Sequence, residues 1–289
     1  LHILFNILFC VAIFAFVFSD ILKDTVTDLD ELWNYNTARA IMHGLIPYKE
    51  ISMITTPLLP FLVSIILRIF GDKLLIFRIA EGILLTAIFY LSYVLSFKLT
   101  QKRTIGVLCS LTLAYIYKSE FAMDYNYFVL MIMMITQTLE IKKAENKKIN
   151  YDIIIGIFLG LAICTKQTTG AVISVTVILS ELILVEDKKT FIKYIKENII
   201  KIISMLSIVM IFIIYLLITN SLPDFINYAI LGIRTFTNKI EYKKLFTLKN
   251  KTIVDLAKTM PTIMIIMAIC IIIIKILSLC KFLIKSELT

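Results

Sequence analysis

Histidine is almost absent from this chain. His2 and His43 are the only two in 289 residues, which excludes a histidine-rich metal site. The five cysteines, Cys10, Cys109, Cys164, Cys270 and Cys280, lie in or at the ends of apolar runs. None is spaced as CxxC for metal or redox chemistry, so they read as small buried hydrophobes. The start has no basic segment followed by a small-residue cleavage site, so Leu1–Ser19 is expected to span a membrane rather than to be removed. No repeat of fixed period and no low-complexity linker divides the chain, so 1–289 is expected to form a single transmembrane domain. The chain begins at Leu1 rather than methionine and stops soon after its last apolar run. It is therefore expected to be truncated at one or both ends.

What is present is apolar. Hydrophobic residues make up 59% of the chain and the mean hydropathy is +0.90, a balance soluble domains seldom reach. The net charge of +9 could serve a nucleic acid, but the basic residues sit in short loops between apolar runs. That pattern fits the positive-inside rule, and no nucleic-acid partner is expected. The runs are Leu1–Ser19, Ile76–Leu99, Thr104–Tyr117, Tyr125–Leu139, Ile153–Thr165, Ala171–Val185, Ile199–Thr219 and Met260–Leu279. The fold class expected is all-α: a polytopic integral membrane protein with about eight transmembrane helices. A span needs roughly 20 residues, so the shorter runs are expected to extend into their flanks.

Lysine placement orients the spans. Alternate loops carry Lys98, Lys102 and Arg103; Lys142, Lys143, Lys147 and Lys148; Lys188, Lys189, Lys193 and Lys196; and Lys281 with Lys285. These are expected to be cytoplasmic. The outer loops then hold the cluster Asp28-Leu29-Asp30-Glu31, Glu120 with Asp124, the Lys166-Gln167 turn and Asn220–Thr259. Carboxylates beside a bilayer are costly to desolvate and suggest chemistry or ion binding. In the first outer loop, residues 20–75, Asp28 and Glu31 have the spacing of a capping box. The helix they open is expected to run to about His43, with Gly44 ending it and Pro47 beyond. A second helix, opened by Pro57 and closed near Phe70-Gly71, is too short to span and is expected to lie in the outer interface.

The order Asp-Glu, then Gly44-Leu45-Ile46-Pro47-Tyr48-Lys49-Glu50, then a Pro-Leu helix ending in Phe-Gly, then Arg78 opening the next span, resembles the GT-C superfamily of polytopic membrane glycosyltransferases. It is most similar to the glycosyltransferase family 39, protein-mannosyltransferase-like or aminoarabinose-transferase-like branch, in its bacterial form. The turn Thr165-Lys166-Gln167-Thr168-Thr169-Gly170 is similar to a Lys-Gln motif of bacterial members. The chain departs from the pattern at Thr56-Pro57, where two prolines are common, and in having fewer spans. The resemblance implies inverting sugar transfer from a polyprenyl-phosphate donor at the extracytoplasmic face of a plasma membrane. The acceptor would be a glycan, lipid or protein, with membrane lipid around the spans.

The resemblance makes Asp30 the general base that takes the acceptor proton, with burial expected to raise its pKa to a useful range. The plainer reading is a favourable charge at a helix start. Asp28 and Glu31 are either a capping box or catalytic neighbours. Asp28 with Asp30 would be the ligands if a divalent cation such as Mg2+ or Mn2+ is used; metal use stays open. Lys166 with its following helix start, and Gln167, could hold the donor phosphate, or Lys166 could merely snorkel to the interface. Gly170 would permit close approach. Arg78 could bind phosphate or pair with Glu81 three residues on; Arg39 is a further phosphate candidate. Trp33 and Tyr48 could stack on a sugar or anchor at the interface. Asp124 could approach the acceptor or sit in a solvated loop. A transporter or lipid flippase is the rival class, expected to show repeats and mid-membrane polar groups. A non-catalytic partner in polysaccharide export is the third.

Overall fold

The computed structural model describes residues 2–23, 29–117, 123–146 and 149–232. The described residues are helical with no named strand; a single isolated bridge joins Pro47 and Ile51. In order they form α1 His2–Ile21, α2 Leu29–Met42, α3 Leu58–Phe70, α4 Leu74–Thr100, α5 Arg103–Tyr117, α6 Tyr125–Asn146, α7 Ile149–Thr165, α8 Gln167–Ser180, α9 Lys188–Ile218 and the short α10 Leu222–Phe225. A turn of 3-10 helix, Glu181–Leu184, follows α8, and a π-helical turn, Ile226–Leu231, follows α10. Asp28, Glu120 and the last expected span, Met260–Leu279, lie outside the described residues.

The first seven apolar runs fall on helices. By length and composition, three helices can cross a membrane: Ile3–Ile21, Leu74–Thr100 and Lys188–Ile218. The count of eight is thus reduced to three that meet both conditions among the described residues, with Arg103–Tyr117, Tyr151–Thr165 and Gln167–Ile183 as shorter apolar helices. Hydropathy also placed several ends too early. Helix α6 runs on to Asn146, α7 starts at Ile149 and α9 starts at Lys188. Lys and Glu end an apolar run but are good helix formers, so the backbone continues through them. Asp187 begins α9 with a capping box to Thr190.

The loop helices sit where the residues imply. Helix α2 ends in a Schellman turn: Gly44 N–H donates to the Ile41 carbonyl, Leu45 N–H donates to the Ala40 carbonyl, and Gly44 takes φ +96°. Helix α3 buries Leu59, Val63, Ser64 and Leu67 while Leu62, Ile65 and Ile69 face outward. The main apolar cluster joins α1 (Ile13, Val17), α3 (Val63, Leu67) and α4 (Phe77, Leu85, Phe89).

Glycine sets the closest helix pair. Gly156 and Gly160 lie four apart on α7, the small-xxx-small spacing of membrane helix contacts, a pattern passed over in reading the sequence. A Cβ at Gly156 would stand 2.3 Å from the Lys201 carbonyl oxygen, and one at Gly160 would stand 2.7 Å from the Met205 carbonyl oxygen. Both clashes are with the backbone of α9, so the helices themselves would have to separate. Gly170 does the same for α8, where a Cβ would come 2.4 Å from the Ala162 backbone of α7.

Near this seam the structure revises the placement of charge. Lys143, expected in a loop, is buried, and Lys201 has no exposed surface. Lys143 Nζ lies 2.6 Å from Asp152, 2.7 Å from Glu181 and 2.9 Å from Glu197. Lys201 Nζ lies 2.6 Å from Glu140 and 2.8 Å from Glu181. Four helical segments are thereby joined through charges that would be costly to bury alone. Substituting Gly156 by alanine should lower thermal stability by about 1–3 kcal/mol, read as a fall in the unfolding midpoint in detergent; an unchanged midpoint would show that the α7–α9 seam yields freely.

Candidate functional site

Three separate stretches converge at the end of the bundle that carries the α7–α8 turn. The first is the start of α2. Asn34, buried on its second turn, donates through Nδ2 to the Asp30 carbonyl at 2.9 Å and to the Met123 carbonyl at 2.9 Å. The second bond ties α2 to the residues that open α6. Trp33 packs edge-on to Tyr125, with ring centroids 5.8 Å apart. Asp30 is exposed at this junction and acts electrostatically on Asp124 and Tyr125.

The second stretch is Met123–Asn126. Asp124 is buried, and its Oδ1 has no hydrogen-bond partner. Its Oδ2 accepts from Asn126 Nδ2. The third stretch is the α7–α8 turn. Lys166 holds extended backbone at the start of α8, and its Nζ donates to Asn126 Oδ1 at 2.6 Å. A carboxylate, an amide and an ammonium thus form one hydrogen-bonded chain, with a second carboxylate, Asp30, beside it.

The pKa argument made for Asp30 applies instead to Asp124. Asp30 is exposed, so burial cannot act there as expected. Asp124 carries the burial, which pushes its carboxyl above the ordinary carboxylate range. The Asn126 hydrogen bond and the Lys166 charge oppose the rise, and the like charge of Asp30 adds to it.

Other expected site residues have different employment. Glu31 is buried and pairs with Arg78, Nε to Oε1 at 3.0 Å, while Arg78 Nη1 donates to the Ile21 carbonyl at 3.1 Å. Arg78 is therefore engaged with Glu31, across helices. Gln167 Nε2 donates to the Ile54 carbonyl at 2.8 Å and to the Ala229 carbonyl at 3.0 Å, and its Oε1 accepts from Thr56 N–H at 3.2 Å. Both amide hydrogens are used, which leaves none for a phosphate; Gln167 holds the first outer loop against α8. Tyr48, expected to stack on a sugar, is buried at 2% exposure. It sits edge-on to Phe225 with its hydroxyl on the Thr55 carbonyl at 2.7 Å, at φ 69°. Arg39 pairs with Asp72 at 2.7 Å and lies over the Tyr35 ring; that hydrogen bond holds the Asp72 carboxyl below its usual range. Arg39 is nine positions along α2 from Asp30, about 13 Å at 1.5 Å per residue.

Among described residues, Asp30 and Asp124 are the carboxylates of this site that could offer oxygens to a divalent cation, Asp28 lying outside them. At the charged seam, the carboxylates of Asp152, Glu181 and Glu197 lie within 4.8 Å of one another. Lys143 Nζ already lies between them and supplies the positive charge.

Asn126 and Asn34 were missed in the sequence. Asn126 stands two residues after Asp124, at a loop-to-helix boundary, which is the available signal; nothing local marks Asn34.

Apolar helices of spanning length, with a polar site gathered at one end, define an integral membrane protein. Residues 55–217 match the model of the dolichyl-phosphate-mannose-protein mannosyltransferase family. The match covers more than half of the 289 residues, and the chain belongs to this family of membrane glycosyltransferases. Asp124, Lys166, Gln167 and Arg78 fall inside the matched residues; Asp30, Glu31, Trp33, Arg39 and Tyr48 precede them. No curated protein and no solved structure matches the chain.

Two outcomes follow. Glu31→Ala leaves the Arg78 guanidinium buried without this carboxylate and should cost about 3–5 kcal/mol of stability, measured by thermal unfolding in detergent. For Asp124 the sign is the reverse of a paired carboxylate. Its raised pKa means that the native state binds the proton more tightly than the unfolded chain. That stability is fully present below the unfolded value of about 3.9 and is lost as pH rises through the folded pKa. Asp124→Asn should therefore unfold at a higher temperature than wild type near neutral pH, with the gap closing in acid.

Proposed function

We propose that this protein transfers a sugar from a polyprenyl-phosphate carrier to an acceptor hydroxyl at the extracytoplasmic face of the membrane. The observation that carries the reading is the convergence of Asp30, Asp124 and Lys166 from three loops that lysine alternation assigns to one side. Family membership supplies the class of reaction.

Asp30 is the base in this reading. Its exposure suits it to meet an acceptor arriving from water: it takes the hydroxyl proton as the oxygen attacks the anomeric carbon. The bond from that carbon to the phosphate oxygen breaks, and the phosphate keeps the electron pair. Lys166 supplies the positive charge that the leaving phosphate needs, and charge held in place beforehand does more than any other single effect to lower the barrier in many enzymes. Lys166 retains ammonium hydrogens beyond the one given to Asn126. Trp33, partly buried on Tyr125, offers an aromatic face to the sugar. Glu31 and Arg78 hold the start of α2 in place. A divalent cation, where one is used, would rest against Asp30 and Asp124. The apolar flanks of the helices would carry the polyprenyl chain. Acceptors of all three kinds, glycan, lipid or protein, present the hydroxyl this step needs.

The test is sugar transfer in reconstituted vesicles with labelled polyprenyl-phosphate sugars. Asp30→Asn should lower turnover by about 10²–10⁴-fold while carrier binding and the unfolding midpoint stay at wild-type values. Equal turnover would remove Asp30 from the role of base. Absence of transfer from every donor in folded protein would sink the transferase reading.

A further inference from the structure

One side chain links the two charged groups of the outer site. Asn126 stands exposed in the first turn of α6, two residues after the buried Asp124. A carboxamide accepts through one atom and donates through another, and Asn126 uses both. Its Oδ1 takes a hydrogen from Lys166 Nζ at 2.6 Å, and its Nδ2 gives one to Asp124 Oδ2. An ammonium on the oxygen of an amide draws charge from the nitrogen and strengthens the N–H that it donates, as hydrogen bonds in a chain polarise one another.

Asp124 has little else to rest on. Its other oxygen is buried with no hydrogen-bond partner. The charged and titratable groups facing it are Asp30 from α2, Lys166 from the α7–α8 turn and Tyr125 from its own helix. Asp30 disfavours the ionised carboxyl and Lys166 favours it. Anything that draws Lys166 away from Asn126 therefore weakens the support of the Asp124 charge in two ways, by distance and through the amide.

We propose that Asn126 is a positioning residue that couples Lys166 to Asp124, so that an anionic phosphate arriving on Lys166 is accompanied by proton uptake from solvent at Asp124. The coupling rests on the reading of Lys166 as the phosphate partner. Phosphate oxygens compete for the Lys166 hydrogens, the amide loses its polarising partner, and Asp124 takes a proton in exchange for the hydrogen bond it loses. No covalent bond of the chain or carrier skeleton changes in this step. Its consequence is electrostatic: the site admits a phosphate without gathering a further net negative charge.

The single tryptophan provides the readout. Trp33 packs on Tyr125, the residue between Asp124 and Asn126, so its emission should follow the charge of Asp124. Emission is titrated from acid to alkaline pH in detergent-solubilised full chain, with and without undecaprenyl phosphate. The variants are Asn126→Leu and Asn126→Asp. Leucine keeps the volume, so that Lys166 cannot close onto Asp124, and removes both hydrogen bonds. Aspartate keeps the shape and replaces the donor with a second carboxylate. In wild type the emission midpoint should rise when the carrier phosphate is added. In both variants it should already be higher without carrier, and the Leu variant should show a smaller further rise.

A purely structural Asn126 would change emission intensity or thermal stability and leave the midpoint in place. Equal midpoints in wild type and Asn126→Leu, or no transition in wild type, would overturn the proposal. A variant difference with no carrier effect in wild type would overturn its phosphate half. The emission midpoint needs no turnover, so loss of the transferase reading through inactivity with every donor leaves this comparison standing.

Discussion

One guanidinium holds the outer site to the rest of the molecule. Arg78, near the start of α4, reaches the last residue of α1 through the Ile21 carbonyl and the first turn of α2 through Glu31. Three chain segments are fixed to one another by this side chain. Without it the residues before α2 would give Asp30 no settled position, because a short polar loop has little apolar surface to bury. Arginine suits the task, since its planar group offers donors in several directions at once. The pair is buried, so it stabilises less by attraction than by the penalty for separating it. That penalty serves position: α2 has one arrangement in which neither charge is stranded.

The chain solves the same problem a second way along the α7–α9 seam. There Lys143 and Lys201 gather carboxylates from α6, α7, the 3-10 turn and α9. Glycine at positions 156 and 160 brings α7 and α9 close enough for the network to close. Apolar side chains alone could let these helices slide, because lipid is as apolar as leucine. Paired charges and backbone contacts remove that freedom. Register set along α9 carries through to Ala229 beyond it, whose carbonyl receives Gln167.

Much of the fold was legible because the signals were local. Proline before Leu58, glycine after Phe70 and glycine at 44 marked the two loop helices to within a residue or two. Hydropathy found the positions of seven helices, and it failed at their ends because charge ends an apolar run without ending a helix. Lys143 illustrates the limit: read alone it is a loop lysine, and only its distant carboxylates make it a buried one. The site divides along the same line. That Asp30, Asp124 and Lys166 share one side followed from lysine alternation. That Gln167 and Tyr48 serve the packing of the first outer loop did not, since their partners are backbone carbonyls, several of them far along the chain. Burial was assigned to the wrong aspartate for a related reason: exposure depends on what covers a residue, and the cover of Asp124 comes from other segments.

The first outer loop is fastened at several points to different helices. Asn34 holds it to Met123, Gln167 holds Ile54 and Thr56, Thr56 Oγ1 donates to the Ile163 carbonyl at 2.9 Å, and Lys49 reaches the Thr219 carbonyl. Hinging this segment upward as a gate would break every one of these bonds together. A slender lipid sliding in sideways from the bilayer breaks none of them. The fastening thus favours a fixed roof with a lateral doorway, and it separates the route of a greasy substrate from that of a watery one.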